Sequence, residues 1–303
     1  MSKQFAHMDA AETVFFAREL ERIKAASYDI KYPALMARQF IPVSNEAPSG
    51  TETITYRQYD RVGRAKAIAQ GATDLPRVDV KGLEFTRPVR WYGDSYGWNL
   101  VEIRQSQLTG RSLDSRKASA ARRAWEEVID DVACFGDADV GIATGFFNDP
   151  NVTPVAPSAG AWLTATADDI IKDVATLYGN TLTATEGIEK PDTLVLPDTV
   201  YHVVATKPRS TNSDTTVLRF LLDNFPYLKA IEPWYRATTA GAAGVTRAVL
   251  YKRSADYLQQ EIPNEFEQLP VYQRGLNFEV GCIGCTAGTQ LYYPLAMRYM
   301  DGV

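Results

Sequence analysis

Histidine is scarce in this chain, with only His7 and His202 among 303 residues. A catalytic set of nucleophile, histidine and acid would have to use one of them. His7 lies near the start of the chain, and His202 lies beside Tyr201 and Val203 in a short predicted helix. A structural or surface role is favoured for His202, so the sequence predicts a protein that is not an enzyme. A hydrolase built on His202 is the alternative.

Cysteine is almost as rare, and three residues are too few for a disulfide framework. Cys282 and Cys285 have the spacing of a zinc knuckle or a redox pair. A four-ligand zinc site would need two more ligands, and the chain has only Cys134 and the two histidines to offer. A redox pair usually begins a helix, whereas this pair lies between predicted strands. We therefore expect small buried residues at a tight turn, with no metal and no cofactor; a metal or redox site is the alternative.

Long apolar runs, glycine-rich phosphate loops and an excess of basic residues are also missing. No segment approaches the roughly 18 apolar residues of a membrane span, and the first residues do not resemble a secretory signal. No Gly-x-x-x-x-Gly-Lys-Ser/Thr or Gly-x-Gly-x-x-Gly motif is present. The net charge of −5 argues against a dedicated nucleic-acid binder, because such proteins are usually basic. We expect a protein that is made in the cytosol and has no membrane partner.

What the chain does have is an ordinary globular composition, 45% hydrophobic and 23% charged, without internal repeats. Hydrophobic spacing and turn residues predict an α+β fold. The predicted helices span residues 10–36, 112–135, 166–179, 197–205 and 214–224. The helix over 112–135 would be about 36 Å long, and Thr166 with Asp169 predicts a capping box. Extended segments are predicted at residues 38–43, 51–59, 83–92, 192–196, 227–233, 245–252, 276–282 and 289–297.

The most informative segment is a predicted arm. Residues 51–59 and 83–92 alternate between apolar and polar side chains, although Pro88 restricts the second strand to an edge or a bulge. The residues between them are charged and interrupted by glycine. A two-stranded hairpin of this kind is marginal alone in water, so the arm must lie on another surface.

Basic side chains are concentrated in this arm. They are Arg57, Arg61, Arg64, Lys66, Arg77, Lys81, Arg87 and Arg90. Salt links between subunits are the favoured interpretation, and the first six are the predicted assembly contacts. Nucleic-acid contact and a solvated arm are the alternatives. Nucleic-acid contact is less favoured because the arm lacks the alternation of basic and aromatic residues that single-strand binding requires.

An acidic run lies on the long predicted helix. It consists of Glu126, Glu127, Asp130 and Asp131, whose i,i+4 pairs have like charge and repel one another slightly. A solvated face is one interpretation, a strip that receives a basic partner is the sharper one, and a divalent metal site is the third. We predict the strip as an assembly contact.

The order of these parts resembles the major capsid proteins of tailed bacteriophages, which have the Hong Kong ninety-seven-like fold that encapsulins share. Five segments support the resemblance, which covers nearly the whole chain. They are WYGDSYGWNLVEIRQSQLTG (91–110), ARRAWEEVIDDVACFGD (121–137), GFFNDPNV (145–152), TLVLP (193–197) and LYYPLAMRYMDGV (291–303).

The resemblance implies four regions. These are an N-terminal arm and helix (1–45), an extended loop (46–100), a peripheral domain with the spine helix 112–135 (101–157 and 266–303), and an axial domain (158–265). It also implies a coat protein that self-assembles as pentamers and hexamers into an icosahedral shell around double-stranded DNA. The virion capsid would be assembled in the host cytoplasm.

The implied partners are further copies of the chain, a portal, a scaffolding protein and a decoration protein, with DNA held without sequence-specific binding. Many relatives have a long cleaved N-terminal scaffolding segment. Here the helix and hairpin pattern begins within fifty residues, so we expect scaffolding to be a separate protein or unnecessary. The alternative within the same fold is an encapsulin-type nanocompartment shell.

Overall fold

The computed structural model describes residues 32–67, 75–109, 114–212 and 214–303. The chain divides into two units, Met1–Ala34 and Leu35–Val303, and all the described helices and strands belong to the second. In the first unit, residues 32–34 are neither helix nor strand. The predicted helix over 10–36 lies outside the described residues up to residue 31, and its predicted end is wrong because residues 32–36 are not helical.

The described part contains six α-helices and fourteen strands. The helices are α1 (Ala37–Phe40), α2 (Leu100–Thr109), α3 (Asp114–Phe135), α4 (Ala167–Ala184), α5 (Asp198–Thr206) and α6 (Val217–Asn224). The strands are β1 (Val43–Ser44), β2 (Thr53–Val62), β3 (Asp79–Pro88), β4 (Arg90–Asn99), β5 (Pro154–Val155), β6 (Thr193–Leu196), β7 (Ala230–Pro233), β8 (Arg247–Tyr251), β9 (Leu258–Glu261), β10 (Asn264–Gln268), β11 (Tyr272–Arg274), β12 (Asn277–Thr286), β13 (Gly288–Leu291) and β14 (Arg298–Asp301).

A five-stranded sheet in the order β5-β14-β8-β6-β7 forms the centre of one lobe. Strand β6 is buried along its whole length, as its continuous apolar sequence predicts. Helices α4, α5 and α6 contribute Ile170, Val200 and Leu221 to the core beside this sheet. The predicted elements over 192–196 and 197–205 are confirmed within one residue, whereas the helix predicted over 214–224 begins only at Val217.

Helix α4 confirms the predicted capping box and corrects its predicted end. The Thr166 hydroxyl accepts a hydrogen bond from the Asp169 amide, and the Asp169 carboxylate accepts one from the Thr166 amide. The helix passes through Gly179 and ends at Ala184. Thr181, beyond the glycine, is fully buried in the fold, so tertiary packing outweighs the low helix propensity of glycine.

A second layer consists of the long helix α3 against strands β4 and β12. These strands pair in antiparallel register over ten residues, from Arg90 opposite Thr286 to Asn99 opposite Asn277. Strands β10 and β11 pair with the other edge of β12. Trp125 of α3 packs close over Gly284, where a side chain would meet the indole ring. The predicted helix over 112–135 is confirmed from Asp114 onward, and its predicted cap, Ser112, lies outside the described residues.

An aromatic core lies between the five-stranded sheet and α3. Phe146, Phe147 and Trp234 pack with Phe40 of α1 and Tyr251 of β8. The prediction of an extended segment over 38–43 is wrong at its start, because helix α1 continues to Phe40 before the chain extends into β1. Strand β1 pairs in parallel with β9, which also pairs with β13.

Strands β2 and β3 form a separate two-stranded hairpin, as predicted. Their register runs from Thr53 opposite Pro88 to Val62 opposite Asp79. The single strand predicted over 83–92 is two strands, because the chain leaves the hairpin at Pro88 and enters β4 at Arg90. The strand predicted over 289–297 is wrong beyond Leu291, where a 3₁₀ turn over Pro294–Ala296 follows. None of the described helices is long and apolar enough to cross a membrane.

Candidate functional site

The hairpin β2–β3 is the arm that the sequence predicts, and none of its described residues over 57–67 and 75–86 is buried. All six predicted contact residues, Arg57, Arg61, Arg64, Lys66, Arg77 and Lys81, are exposed. The Arg57 guanidinium pairs across the strands with Glu84, with Nε and Oε1 2.8 Å apart, and this hydrogen bond raises the pKa of Arg57. Exposed pairs of this kind contribute under ~1 kcal/mol each, so the arm's charges do not explain why it exists.

The exposed apolar side chains on the arm were not predicted from the sequence, in which the charged residues of this segment are more prominent. Val80 and Leu83 are 61% and 66% exposed, and Tyr59 and Val78 are also exposed. The alternation of the strands could have revealed Val80 and Leu83, which lie three positions apart and therefore on opposite faces of β3. Exposed apolar groups on a protruding hairpin indicate a surface that is covered in an assembly.

The root of the arm is fixed to the body by polar and aromatic contacts. Arg87 donates hydrogen bonds to the backbone oxygen of Thr144 at 2.9 Å and to its hydroxyl at 2.5 Å. Burial lowers the pKa of Arg87. Tyr56 stacks on Phe85 and meets Tyr292 edge-on, with ring centroids 5.0 and 4.9 Å apart. These contacts hold the hairpin at a defined angle.

The acidic strip on α3 is engaged within its own chain. Asp130 is only 3% exposed; its Oδ1 accepts hydrogen bonds from the amides of Met36 and Ala37, at 3.0 and 2.9 Å. Its Oδ2 accepts one from Nε of Arg236 at 3.0 Å. Asp131 pairs with the same arginine through Nη2 at 2.5 Å. Burial raises the pKa of Asp131, and the positive charge of Arg236 reduces this increase.

The other two members of the strip are also paired. Glu126 lies 3.2 Å from Nε of Arg38, whose two terminal nitrogens donate to Glu265 at 2.8 Å each. Glu127 pairs with Arg123 one turn earlier at 2.7 Å. A fully solvated face is therefore the wrong interpretation for Asp130, while Glu127 and Asp131 keep about half of their side-chain surface exposed. The role of the strip as an assembly contact stays a prediction.

Cys282 and Cys285 both lie within strand β12, so the prediction of a tight turn is wrong. A spacing of three places their side chains on opposite faces of a strand. Cys282 packs with Ala121 of α3, and Cys285 packs with Val89 at the arm root. Burial raises the pKa of the Cys282 thiol to about 11 and also raises that of Cys285. The two sulfurs therefore cannot act as one metal or redox site.

No other chemically active cluster occurs in the described ranges. His202 is exposed on α5, and its backbone oxygen accepts a hydrogen bond from the Thr206 hydroxyl. Across residues 32–67, 75–109, 114–212 and 214–303, no group of three or more His, Cys, Asp or Glu side chains is placed to hold a metal ion.

Helix α2 was not predicted from the sequence. It follows β4 directly, and the Leu100 amide donates to the backbone oxygen of Leu276 at 2.9 Å. Of its side chains, those of residues 100–108 are described and none is buried; Leu108 is 89% exposed. An isolated ten-residue helix is marginal in water, so α2 is a second element that lacks a core.

Comparison with solved structures identifies the fold. The chain is similar to a chain of the capsid of Myoviridae phage XM1, with 24% identity, a TM-score of 0.84, and coverage of 96% of this chain and 99% of that one. A Mycobacterium phage Ogopogo chain gives 13% identity and a TM-score of 0.62, with coverage of 94% and 97%. A virus-like particle from Pyrococcus furiosus gives 12% and 0.53, with coverage of 86% and 90%. The predicted α+β phage capsid fold is confirmed.

Sequence comparison gives a more specific result. No curated protein sequence matches the chain. A family model described as "Major capsid protein" matches residues 63–303, and this match does not favour the encapsulin alternative. Because it spans well over half of the sequence, including helix α3 and the five-stranded sheet, the chain belongs to the major capsid protein family.

Proposed function

We propose that the chain forms pentamers and hexamers that build an icosahedral shell around double-stranded DNA. As a member of its family, the chain is a coat protein of the virion capsid that assembles with copies of itself, and it is not an enzyme. The net charge of −5 suits a container, because a strongly basic inner surface would bind the DNA phosphates tightly. A portal, a separate scaffolding protein and a decoration protein are the proposed partners, and the host cytoplasm is the proposed place of assembly.

The predicted domain division is part of this proposal. The described elements are consistent with an axial domain over 158–265, which contains α4, α5, α6 and most of the five-stranded sheet. Helix α3 and strand β12 would form the peripheral domain over 101–157 and 266–303. The extended loop over 46–100 would contain the hairpin, with β4 as its continuation into the peripheral sheet.

The observation that supports assembly best is the arm. Its outer residues expose both cations and apolar side chains, so they contribute little to the fold of their own chain. In this proposal, a neighbouring copy covers these exposed side chains. Arg61, Arg64, Lys66, Arg77 and Lys81, with Arg57, would then face acidic groups of that neighbour.

The acidic strip is the proposed receiving surface. Of Glu126, Glu127, Asp130 and Asp131, the carboxylates of Glu127 and Asp131 are the most accessible. Each exposed pair would contribute under ~1 kcal/mol, but a shell repeats every contact many times. Salt should therefore weaken assembly.

A deletion that respects the strand register tests the proposal. Removing residues 64–77 and joining Gly63 to Val78 through a short Gly-Ser turn keeps the last observed pair, Val62 with Asp79. We expect the free energy of unfolding of the subunit to change by less than about 0.5 kcal/mol, because the described residues of the removed segment, 64–67 and 75–77, are exposed. Electron microscopy should show no closed shells. Normal shells from the shortened protein would contradict the proposal.

The matched control keeps the length of the arm. Replacing Arg61 and Lys81 by glutamine removes two cations but no backbone, so capsomers should form and their assembly should become less sensitive to salt. Light scattering in 0.05 and 0.5 M NaCl measures this difference. Wild-type protein that is monomeric by sedimentation under all conditions would remove the assembly function itself.

A further inference from the structure

A wide cleft lies beneath the arm. It has a volume of about 1180 Å³ and lies between the arm and two body segments, 184–189 and 292–295. Leu83 and Tyr59 line it from the arm, and Ile188 and Leu295 from the body; Ile188 is 75% exposed. Apolar groups on both walls indicate a docking surface.

The charges of the two walls differ in sign. Arg57 and Lys81 lie on the arm wall, near Asp60, whereas Glu186 and Glu189 lie on the body wall. The Oε2 atom of Glu189 is buried and receives no hydrogen bond from the described residues. A buried carboxylate oxygen without a donor is costly, so a cation at the body wall would be stabilising.

Helix α2 has the complementary pattern. At 100° per residue, Val101 and Leu108 share one face, and the partly buried Ile103 lies roughly opposite them. Glu102 and Arg104 flank the Val101–Leu108 ridge on opposite sides. Docking of this ridge between the walls would bring Arg104 toward Glu186 and Glu189, while Glu102 keeps its ion pair with Lys117 of its own chain, 3.6 Å away.

The sizes also agree. A ten-residue helix is about 15 Å long and about 11 Å wide, so it displaces on the order of 1400 Å³. The volume of the whole helix is therefore close to that of the cleft, about 1180 Å³. No residue of α2 lines the cleft of its own chain, and α2 begins at the far end of β4, about 33 Å of strand from the arm root.

We propose that α2 of one copy docks, by its Val101–Leu108 ridge, in the cleft beneath the arm of a second copy. This proposal rests on the assembly function and specifies one contact within it. The contact joins two different surfaces, so each copy offers one cleft and one helix to its neighbours. Such head-to-tail contacts generate closed rings when the rotation between neighbouring copies closes, which is the geometry that capsomers need.

Cross-linking of assembled full-length protein tests the contact. The double variant Leu108→Cys with Ile188→Cys places one thiol on the ridge and one in the cleft, and the native cysteines Cys134, Cys282 and Cys285 are buried. After mild oxidation of shells, non-reducing electrophoresis should show a ladder of covalent oligomers. Each single variant, and the pair Leu163→Cys with Ile188→Cys, should stay monomeric on the gel. Shells of the double variant that give no ladder overturn the proposal while leaving the assembly function intact.

If the cysteine variants do not assemble, exchange of the charges on Arg104 and Glu189 tests the same contact. Arg104→Glu and Glu189→Arg should each lower the yield of shells by about tenfold, and the double variant should restore it to within about threefold of wild type. Single variants that assemble normally, or a double variant no better than either single one, refute the contact. A third measurement is maleimide labelling of Ile188→Cys. Labelling that is as fast in shells as in free subunits would mean that the cleft stays open for another partner, and this also overturns the proposal.

Discussion

Asp130 and Arg236 form an ion pair that joins helix α3 to the lobe containing the five-stranded sheet. The pair has an Nε–Oδ2 distance of 3.0 Å, and the carboxylate also binds the first amides of α1. Three segments that are far apart in the sequence thus meet at one side chain. Asp130 is therefore a structural residue first, whatever its neighbours on the strip do in the shell.

Replacement of Asp130 should destabilise the subunit strongly. We expect Asp130→Ala to lower the free energy of unfolding by about 3–5 kcal/mol, because Arg236 and two amides lose a buried partner. Denaturant unfolding of the unassembled chain measures the loss. The control Glu127→Ala removes an exposed i,i+4 pair and should cost less than about 0.5 kcal/mol. Equal effects of the two substitutions would contradict this assignment.

Two glycines should respond in opposite directions to alanine. A Cβ at Gly284 would lie 2.4 Å from Nε1 of Trp125, whereas one at Gly179 meets nothing within 4 Å. Gly284→Ala should cost about 1–3 kcal/mol through overpacking. Gly179→Ala should stabilise α4 by about 0.5–1 kcal/mol. Thermal unfolding of both variants tests the pair, and a stabilising Gly284→Ala would show that the indole moves freely.

These glycines also show how far the sequence analysis reaches. The Thr166–Asp169 cap could be predicted because both residues act within one helical turn. The end of the same helix could not, since buried packing beyond Gly179 decides it. Likewise, α1 depends on Asp130, 93 residues away from Ala37, and no local signal reveals such a cap.

The contacts of the candidate site were likewise only partly predictable from the sequence. The exposed cations of the arm follow from composition and strand alternation, and the Arg123–Glu127 pair follows from i,i+4 spacing. The partners of Glu126 and Asp131 could not be predicted, because Arg38 and Arg236 approach α3 only in the folded chain. Spacing alone also suggested a cysteine site that the strand geometry separates.

The buried thiols should be unreactive in the folded protein. With the pKa of Cys282 raised to about 11 by burial, roughly one thiol in a thousand is ionised at pH 8. Ellman's reagent should therefore label Cys282 and Cys285 only after unfolding. The double serine variant should still assemble, and metal analysis should find no stoichiometric zinc. About one zinc per chain, lost in that variant, would be the contrary result.

The same shift predicts a pH dependence of stability. The thiol binds its proton more tightly in the folded state than in the unfolded state, so its contribution is complete below the ordinary pKa near 9 and declines as the pH rises toward 11. Unfolding curves at pH 8 and pH 10.5 should differ less in Cys282→Ala than in wild type. An unchanged difference would assign the alkaline loss to other groups, such as the buried tyrosines.

The arm root should control the mobility of the hairpin. Arg87→Ala removes two hydrogen bonds to Thr144, worth about 1.5–3 kcal/mol for a charged donor. Amide exchange near Tyr56 and Phe85 should then accelerate by at least about tenfold. Thr144→Val keeps the bond to the backbone oxygen and should have a smaller effect. Unchanged exchange in Arg87→Ala would leave the aromatic contacts as the main anchor.

The two-stranded arm also affects how unassembled chains associate with one another. Each strand has only one partner, so both outer edges are open to pairing with other newly made chains. A coat protein accumulates to high concentration, and open edges with exposed valine and leucine favour fibrous aggregates. Arg61 and Lys81, next to Val80 along and across the strands, act as gatekeepers against such pairing. We therefore expect the cations of the arm to protect the solubility of the unassembled chains.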